Sequence, residues 1–296
     1  MKGKMLTKQT NQKIFSILTA SLVILYTNAF QYNVDLSKRL ASYSLVSYCS
    51  HNRLQDWSCG EACQRVEPLK DLIIYTNQND SSYMMGYDQQ ENAISIIVKG
   101  TNPWCIDDWE SDLTTEKIDY PKCESCQVHK VFYQTLLDMQ EQLKKDFLKI
   151  RSQHPQSKIY ATGQSLGGAL ATLIVPEIYL LNGKKPIDAF YTFGSPRVGN
   201  LQFSFWYTSK SYFSKISARV TSNKDIVAQL PPRSFPFLYM HIGHEVFYKN
   251  FSNLHEFIMC EIPEDQECSN QYTLDFSMKD HGSYFGWNWA FDIFTC

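Results

Sequence analysis

Residues 163–169, Gly-Gln-Ser-Leu-Gly-Gly-Ala, constrain the fold of this chain more than any other segment. Residues 158–162 before them favour a strand, and the apolar run from Leu170 to Leu181 favours a helix. A strand, a tight turn of small residues and a helix are the context in which G-x-S-x-G places Ser165 exposed on a sharp turn, ready to attack a carbonyl carbon. The pattern also arises by chance as a glycine-rich turn with a capping serine, so partners are needed elsewhere.

The flanking segments alternate between strand and helix patterns. Strands are expected at 93–98, 189–193 and 218–221, and a helix at 128–152, closed by Pro155. Pro176 should kink or end the helix that follows Ser165. This alternation predicts an α/β fold, a mainly parallel sheet covered by helices, with active residues on loops at the carboxyl ends of the strands.

The N-terminus differs from the rest of the chain. Four lysines without an acidic residue precede the apolar stretch 14–26, and Thr-Asn-Ala at 27–29 offers a small-residue cleavage site. The stretch is short for a membrane span, so 1–29 is predicted to be a signal peptide rather than an uncleaved anchor. Residues 30–296 would be one domain, secreted or in the lumen of a secretory or digestive compartment, without an integral membrane segment.

Composition narrows the possible partners. Of 296 residues, 44% are hydrophobic and 20% charged, which suits one large α/β domain. The formal net charge of −2 becomes −6 without the four N-terminal lysines. The mature protein therefore has no broad basic face for nucleic acid, and a monomer is expected.

The nine cysteines agree with export to an oxidising compartment. Short spacings suggest three local disulfides, Cys59 with Cys63, Cys123 with Cys126 and Cys260 with Cys268. Cys49 and Cys296 would then join the two ends, and Cys105 is left over. A zinc site is disfavoured because the C-x-x-C at 123–126 has no second ligand pair nearby.

Two sequons are also compatible with export. Asn79 and Asn250 each begin an N-glycosylation acceptor sequence. Either residue is therefore a candidate for carrying a glycan in a secreted protein.

A nucleophilic serine needs a histidine base and a carboxylate, which follow it in the order Ser, Asp, His in this architecture. Asp225 is the best acid because it lies in a loop beyond the 218–221 strand, although a turn-forming aspartate is the plainer interpretation. Spacing alone does not choose between His241, His244, His255 and His281. Chain order and a loop position favour His281.

Hydrogen-bond donors for an oxyanion are also required. The amide of Leu166 is one, and Thr101, in the loop after the 93–98 strand, is the other candidate. The pattern of residues 102–113, which come next, predicts a short amphipathic helix. It is either a surface helix packed on the core or a lid over the site. Its substrate-facing candidates are Trp104, Ile106, Trp109 and Leu113.

Several segments, in this order and spacing, resemble the fungal-type class 3 triacylglycerol lipases over about residues 45–296. They are Val98–Thr101, Asp108-Trp109 with Asp112-Leu113, Val128-His129, Gly163–Ala169, Phe193–Asn200, Asn223–Val227 with Leu230–Pro232, and His281–Gly286. The resemblance implies an α/β-hydrolase fold with a short helical lid, and the roles of nucleophile for Ser165, acid for Asp225 and base for His281. It also implies Thr101 and Leu166 as oxyanion donors.

The cysteine pattern resembles that of the same family. The pairing that the resemblance implies is Cys49–Cys296, Cys59–Cys63, Cys123–Cys126 and Cys260–Cys268.

The resemblance favours triacylglycerol hydrolysis at a lipid–water interface through an acyl-enzyme, with neither a metal nor an organic cofactor. A phospholipase, a galactolipase and a feruloyl-type esterase share the fold, and triad residues do not separate them because the acyl pocket and the lid set the choice. A catalytically silent binding module on the same scaffold is the alternative outside enzymes.

Overall fold

The described elements alternate between strands and helices along the chain, as the hydrophobic pattern predicts. The computed structural model describes residues 31–101, 115–209 and 213–296. The strands are β1 Lys70–Thr76, β2 Ser82–Asp88, β3 Ala93–Val98, β4 Lys117–Asp119, β5 Gln127–His129, β6 Lys158–Gln164, β7 Ile187–Phe193, β8 Ser214–Ser222, β9 Glu245–Tyr248 and β10 Ile258–Cys260. The helices are α1 Val34–Val46, α2 His51–Gln55, α3 Gly60–Gln64, α4 Lys130–Gln153, α5 Leu166–Leu181, α6 Leu201–Ser209, α7 Met278–His281 and α8 Trp289–Thr295.

Eight strands form one mainly parallel sheet in the order β1-β2-β3-β6-β7-β8-β9-β10. Five strands, β3, β6, β7, β8 and β9, are parallel to one another. Antiparallel strands flank them at both edges of the sheet, β2 and β1 at one edge and β10 at the other. The strand run 93–98 is fully buried, as expected for a central parallel strand. Residues Tyr32–Cys296 form one compact unit.

Helices cover both faces of the sheet. Ile159 and Ala161 of β6 point into the main core cluster, which also holds apolar residues of α4 and α5. The next residue, Thr162, faces the other side, where its hydroxyl lies 3.0 Å from that of Ser44 on α1. Because neighbouring side chains of a strand alternate between faces, α1 lies on the face opposite to α4 and α5.

Two helix predictions need correction. Helix α4 begins at Lys130, not at Val128, because Val128 and His129 pair with β4 as part of strand β5. Pro176 neither ends nor divides α5, which continues to Leu181. Proline removes one backbone hydrogen bond, but Val175 and Ile178 beside it are fully buried, and their burial in the core outweighs that loss.

The described part of the chain contains four disulfides, and they are the pairs that the resemblance implies. They join Cys49 to Cys296, Cys59 to Cys63, Cys123 to Cys126 and Cys260 to Cys268. The first spans 247 residues and links the segment after α1 to the end of the chain. The other three close short local loops, with sequence separations of 4, 3 and 8 residues.

Some predictions fall on residues that the structure does not describe. Cys105 lies outside the described residues. So do residues 1–29 of the predicted signal peptide and the four lid positions Trp104, Ile106, Trp109 and Leu113.

Candidate active site

Ser165 occupies a strained turn between the end of β6 and the start of α5. Its backbone has φ 57° and ψ −133°, a conformation that is costly for a residue with a side chain. The turn is tight enough that a Cβ on Gly167 would overlap the carbonyl oxygen of Val98. The sequence therefore needs small residues here, as the G-x-S-x-G pattern predicts. Ser165 is buried, not exposed as expected.

Asp225 and His281 form a direct hydrogen-bonded pair. The Nδ1 atom of His281 lies 2.9 and 3.0 Å from the two carboxylate oxygens of Asp225. Both side chains are about 2% exposed. Residue 225 follows the carboxyl end of β8, while His281 ends the one-turn helix α7 and not a loop as expected. A backbone bridge between Asp225 and Ser277 joins the two segments.

Further donors hold the carboxylate of Asp225. The hydroxyl of Tyr284 donates to Oδ2 at 2.6 Å, and the backbone N–H of Val227 donates to Oδ1 at 2.9 Å. Burial raises the pKa of Tyr284, and the adjacent Asp225 adds to the shift, so the phenol remains a donor. A carboxylate that accepts three hydrogen bonds is fixed in orientation, and it fixes the imidazole in turn.

Gly194, which follows β7, lets the backbone pass close to the side chains of Asp225 and His281. Its φ is +55°, and a Cβ there would lie 2.6 Å from Oδ2 of Asp225 and 2.9 Å from Nδ1 of His281. Only glycine tolerates both the backbone angle and the contact.

The other ring nitrogen of His281 faces Gln164. The amide nitrogen of Gln164 lies 3.1 Å from Nε2 of His281, and its carbonyl oxygen accepts from the hydroxyl of Tyr48 at 2.5 Å. Among the described residues, the Oγ atom of Ser165 has no hydrogen-bond partner. The structure thus joins Asp225 to His281 directly, and it brings Ser165 into the neighbourhood as the residue next to Gln164 without a Ser165–His281 hydrogen bond.

The two predicted oxyanion donors follow adjacent parallel strands. Val98 of β3 pairs with Gly163 of β6, and Thr101 and Leu166 each come three residues after those partners. Carboxyl ends of parallel strands meet at one edge of a sheet, so both residues lie at the edge that carries Ser165. The Thr101 hydroxyl is buried with no partner in the described part of the chain. A buried, unsatisfied hydroxyl is a donor available to a ligand.

The competing histidines differ clearly from His281. The Nε2 atom of His241 forms a hydrogen bond with the backbone carbonyl of Ala228 at 2.7 Å, so this ring nitrogen already has a partner. His244 is half-buried, and His255 is exposed. Geometry therefore singles out His281, which spacing alone does not do. The sequon residues Asn79 and Asn250 are both exposed.

Three residues of this site were not anticipated from the sequence. The sequence offers a local indication for Tyr284, which lies only three residues after the candidate base His281. Gln164 directly precedes Ser165, but nothing in the pattern predicts where its side chain points. Tyr48 has no signal, since it lies 116 residues from the side chain that it contacts.

Neither a metal cluster nor a membrane-spanning helix is found in the described ranges. No group of three or more His, Cys, Asp or Glu side chains at 31–101, 115–209 or 213–296 is arranged to hold a metal ion. Within the same ranges, every helix is too short or too polar to cross a membrane.

Comparison with known proteins agrees with this geometry. The family model described as Lipase (class 3) matches residues 95–235. A lipase of Rhizomucor miehei is 32% identical over 235 residues, which are 78% of this chain and 62% of that protein. The chain thus spans less than two thirds of the length of this relative.

The match to two solved structures covers nearly the whole of each of those chains. A fungal lipase–inhibitor complex, described as a model for interfacial activation, is 30% identical with a TM-score of 0.76 over 87% of this chain and 96% of that one. A triacylglycerol lipase described as having a serine protease triad is 29% identical, with a TM-score of 0.77. The match covers 89% of this chain and 98% of that one. The fold is that of the α/β-hydrolases, and the chain belongs to the class 3 lipase family.

Proposed function

We propose that this protein is a serine ester hydrolase that cleaves lipid esters, with triacylglycerols as its main substrate. One observation carries the proposal: a buried imidazole held by a carboxylate contacts the side chain of Gln164, the residue directly before a serine on a strained turn between strand and helix. A serine hydroxyl is a poor nucleophile until a neighbouring base takes its proton. The similarity to proteins described as lipases supports an ester substrate.

The contacts support the following roles. Nδ1–H of His281 donates to Asp225, which leaves the lone pair of Nε2 to accept the proton of Ser165. As that proton moves, Oγ of Ser165 bonds the acyl carbon, and the developing oxyanion takes hydrogen bonds from Leu166 and Thr101. His281 then gives the proton to the leaving alcohol. Water, activated by the same nitrogen, hydrolyses the acyl-enzyme.

The decisive test is the Ser165→Ala variant. We expect its rate on emulsified triolein to fall by about three orders of magnitude or more, with an unchanged unfolding midpoint. Thr172→Ala is a matched control, because Thr172 is buried on α5 and its hydroxyl bonds only the backbone of Gly168. Turnover of Ser165→Ala within tenfold of wild type would refute the nucleophile assignment.

Substrate class is tested with three esters measured in parallel. We expect emulsified triolein to be hydrolysed faster than phosphatidylcholine and faster than a soluble short-chain ester. A preference for phosphatidylcholine would transfer the assignment to phospholipases on the same fold.

We also propose that the protein is exported and loses residues 1–29. Support comes from the apolar stretch at 14–26 and from the four disulfides, which persist in oxidising compartments. Protein recovered from the medium should begin at Phe30, and endoglycosidase should lower its mass if Asn79 or Asn250 carries a glycan. An intact Met1 on extracellular protein would contradict cleavage.

A further inference from the structure

The amide of Gln164 occupies the ring nitrogen that a serine nucleophile needs. Its nitrogen lies 3.1 Å from Nε2 of His281 and 3.4 Å from the backbone carbonyl oxygen of the same residue. The Gln164 side chain is buried, so water does not compete for these contacts. The contact takes the place of a Ser165–His281 hydrogen bond, which the described residues do not show.

Tyr48 fixes which end of the amide faces the histidine. Its hydroxyl donates to the carbonyl oxygen of Gln164 at 2.5 Å. Burial raises the pKa of Tyr48, so the phenol stays protonated and remains a donor. In the reversed orientation, the amide would offer its N–H₂ to Tyr48, whose proton would then have no acceptor.

This orientation favours one protonation state of the base. An N–H of Gln164 aimed at Nε2 requires a lone pair there, so the proton of neutral His281 resides on Nδ1, against Asp225. The same lone pair must accept the proton of Ser165, and it serves only one donor at a time. Once Nε2 is protonated, two N–H groups would face each other, which is unfavourable.

We propose that Gln164, braced by Tyr48, is a positioning residue that holds His281 in a neutral resting state until the hydroxyl of Ser165 displaces the amide. The inference rests on the proposed serine hydrolase function. The contact keeps the tautomer that catalysis needs while it lowers the reactivity of the free site. Substrate binding would then begin from a base that is oriented but occupied.

The test uses a soluble fluorophosphonate and the full-length protein, so that no lipid interface is involved. In the reaction, Oγ of Ser165 bonds phosphorus, fluoride leaves, and the serine proton passes to Nε2 of His281. Gln164→Met keeps the length of the side chain but removes the donor. Tyr48→Phe keeps the amide but removes the brace, so that the amide is free to turn away from His281.

Both variants should label about fivefold faster than wild type, the equivalent of one neutral hydrogen bond that no longer has to be broken. Gln164→Glu should label more slowly, because a carboxylate at this position favours a proton on Nε2. Tyr83→Phe is the control, since it also removes a buried tyrosine hydroxyl, one that bonds Asp146 in the core, and should leave labelling unchanged.

A rise in rate distinguishes this role from a structural one, because a damaged site labels more slowly. Unfolding midpoints of all variants are measured alongside, and Tyr48→Phe decides the matter if Gln164→Met does not fold. Labelling of the folded variants at or below the wild-type rate overturns the inference. Wild-type protein that does not label at all would instead refute the serine hydrolase proposal, and the inference with it.

Discussion

Two buried histidines of this molecule, His281 and His241, each lie among charged side chains, yet their surroundings differ in kind. His281 presents Nδ1 to a carboxylate and Nε2 to the side-chain amide of Gln164. His241 bonds a backbone carbonyl through Nε2, and its own backbone N–H donates to Glu264 at 2.8 Å. A side chain can move away from a ring nitrogen, but a buried carbonyl in a packed loop cannot.

The charges around the two rings differ as well. Arg197 pairs with Glu264 through two contacts of 2.8 Å, and Arg219 pairs with Glu245 at 2.9 Å. Burial lowers the pKa of His241 well below its usual range, and Arg219 and Arg197 act in the same direction despite Glu264. His281 instead has the carboxylate of Asp225 directly on its ring. Burial and the two arginines favour a neutral His241, whereas His281 has a carboxylate in direct contact with its ring.

The largest expected effect separates the two rings by activity. His281→Asn should lower the rate of ester hydrolysis by about four to six orders of magnitude, because Ser165 would lose its base. His241→Asn should keep activity within about tenfold and lower the unfolding midpoint instead. Rates on triolein and thermal unfolding curves of both variants are the measurements. Equal losses of activity would erase the proposed distinction.

Asp225→Asn tests the carboxylate that marks the His281 site. The amide group keeps the size of the side chain but no longer stabilises the imidazolium, and it favours the wrong tautomer. We expect a loss of about three to four orders of magnitude in kcat. Labelling by fluorophosphonate should fall in parallel. Asp275→Asn is the matched control, since Asp275 forms only an exposed ion pair with Lys224.

Much of the fold was predictable because its signals are local. The strands at 93–98, 158–162, 189–193 and 218–221 are confirmed, each as part or all of a strand of the sheet. The turn at Ser165 follows from residues that are adjacent in the sequence. The position of Asp225 beyond β8 follows from the same strand pattern. Local composition and the order of elements are sufficient for these features.

The rest depends on contacts between distant residues. Bare spacing left four histidines open. Chain order and a loop position favoured His281, and the ordered family motifs then selected it. His281 meets Asp225 across 56 residues, and Tyr48 meets Gln164 across 116. Pro176 predicted a kink or an end of α5, because the tertiary burial that supports the helix as far as Leu181 is not visible in a local pattern. The catalytic roles themselves stay predictions.

A smaller effect, on the free energy of unfolding, is expected when the ion pair beside His241 is broken. Glu264→Gln leaves the guanidinium of Arg197 buried without its carboxylate, and removal of one partner of a buried pair costs about 3–5 kcal/mol. Arg197 also donates to the carbonyl of Pro231, so the loop after Asp225 should loosen. Urea unfolding measures the free-energy change. Glu61→Gln, which breaks an exposed pair on α3, should cost less than about 1 kcal/mol.

The smallest expected effect is the pH dependence that His241 imparts to stability. Its pKa is lower in the folded than in the unfolded protein, so unfolding takes up a proton at pH values between the two. Stability is therefore lost as the pH falls below about 6.5, with a slope of up to about 1.4 kcal/mol per pH unit for one proton. Burial alone would raise the pKa of Glu264, but Arg197 outweighs it and holds that pKa well below its usual range.

The Glu264 carboxylate therefore adds stability that is present above about pH 4.5 and lost at lower pH, outside the window of His241. Urea unfolding between pH 5 and 7 separates the histidine contribution from that of Glu264. We expect His241→Gln to flatten the curve in this window by up to one proton, while His255→Gln, an exposed control, leaves it unchanged. A curve for His241→Gln parallel to that of the wild type would show that His241 does not stay neutral in the folded protein, and the contrast with His281 would then be lost.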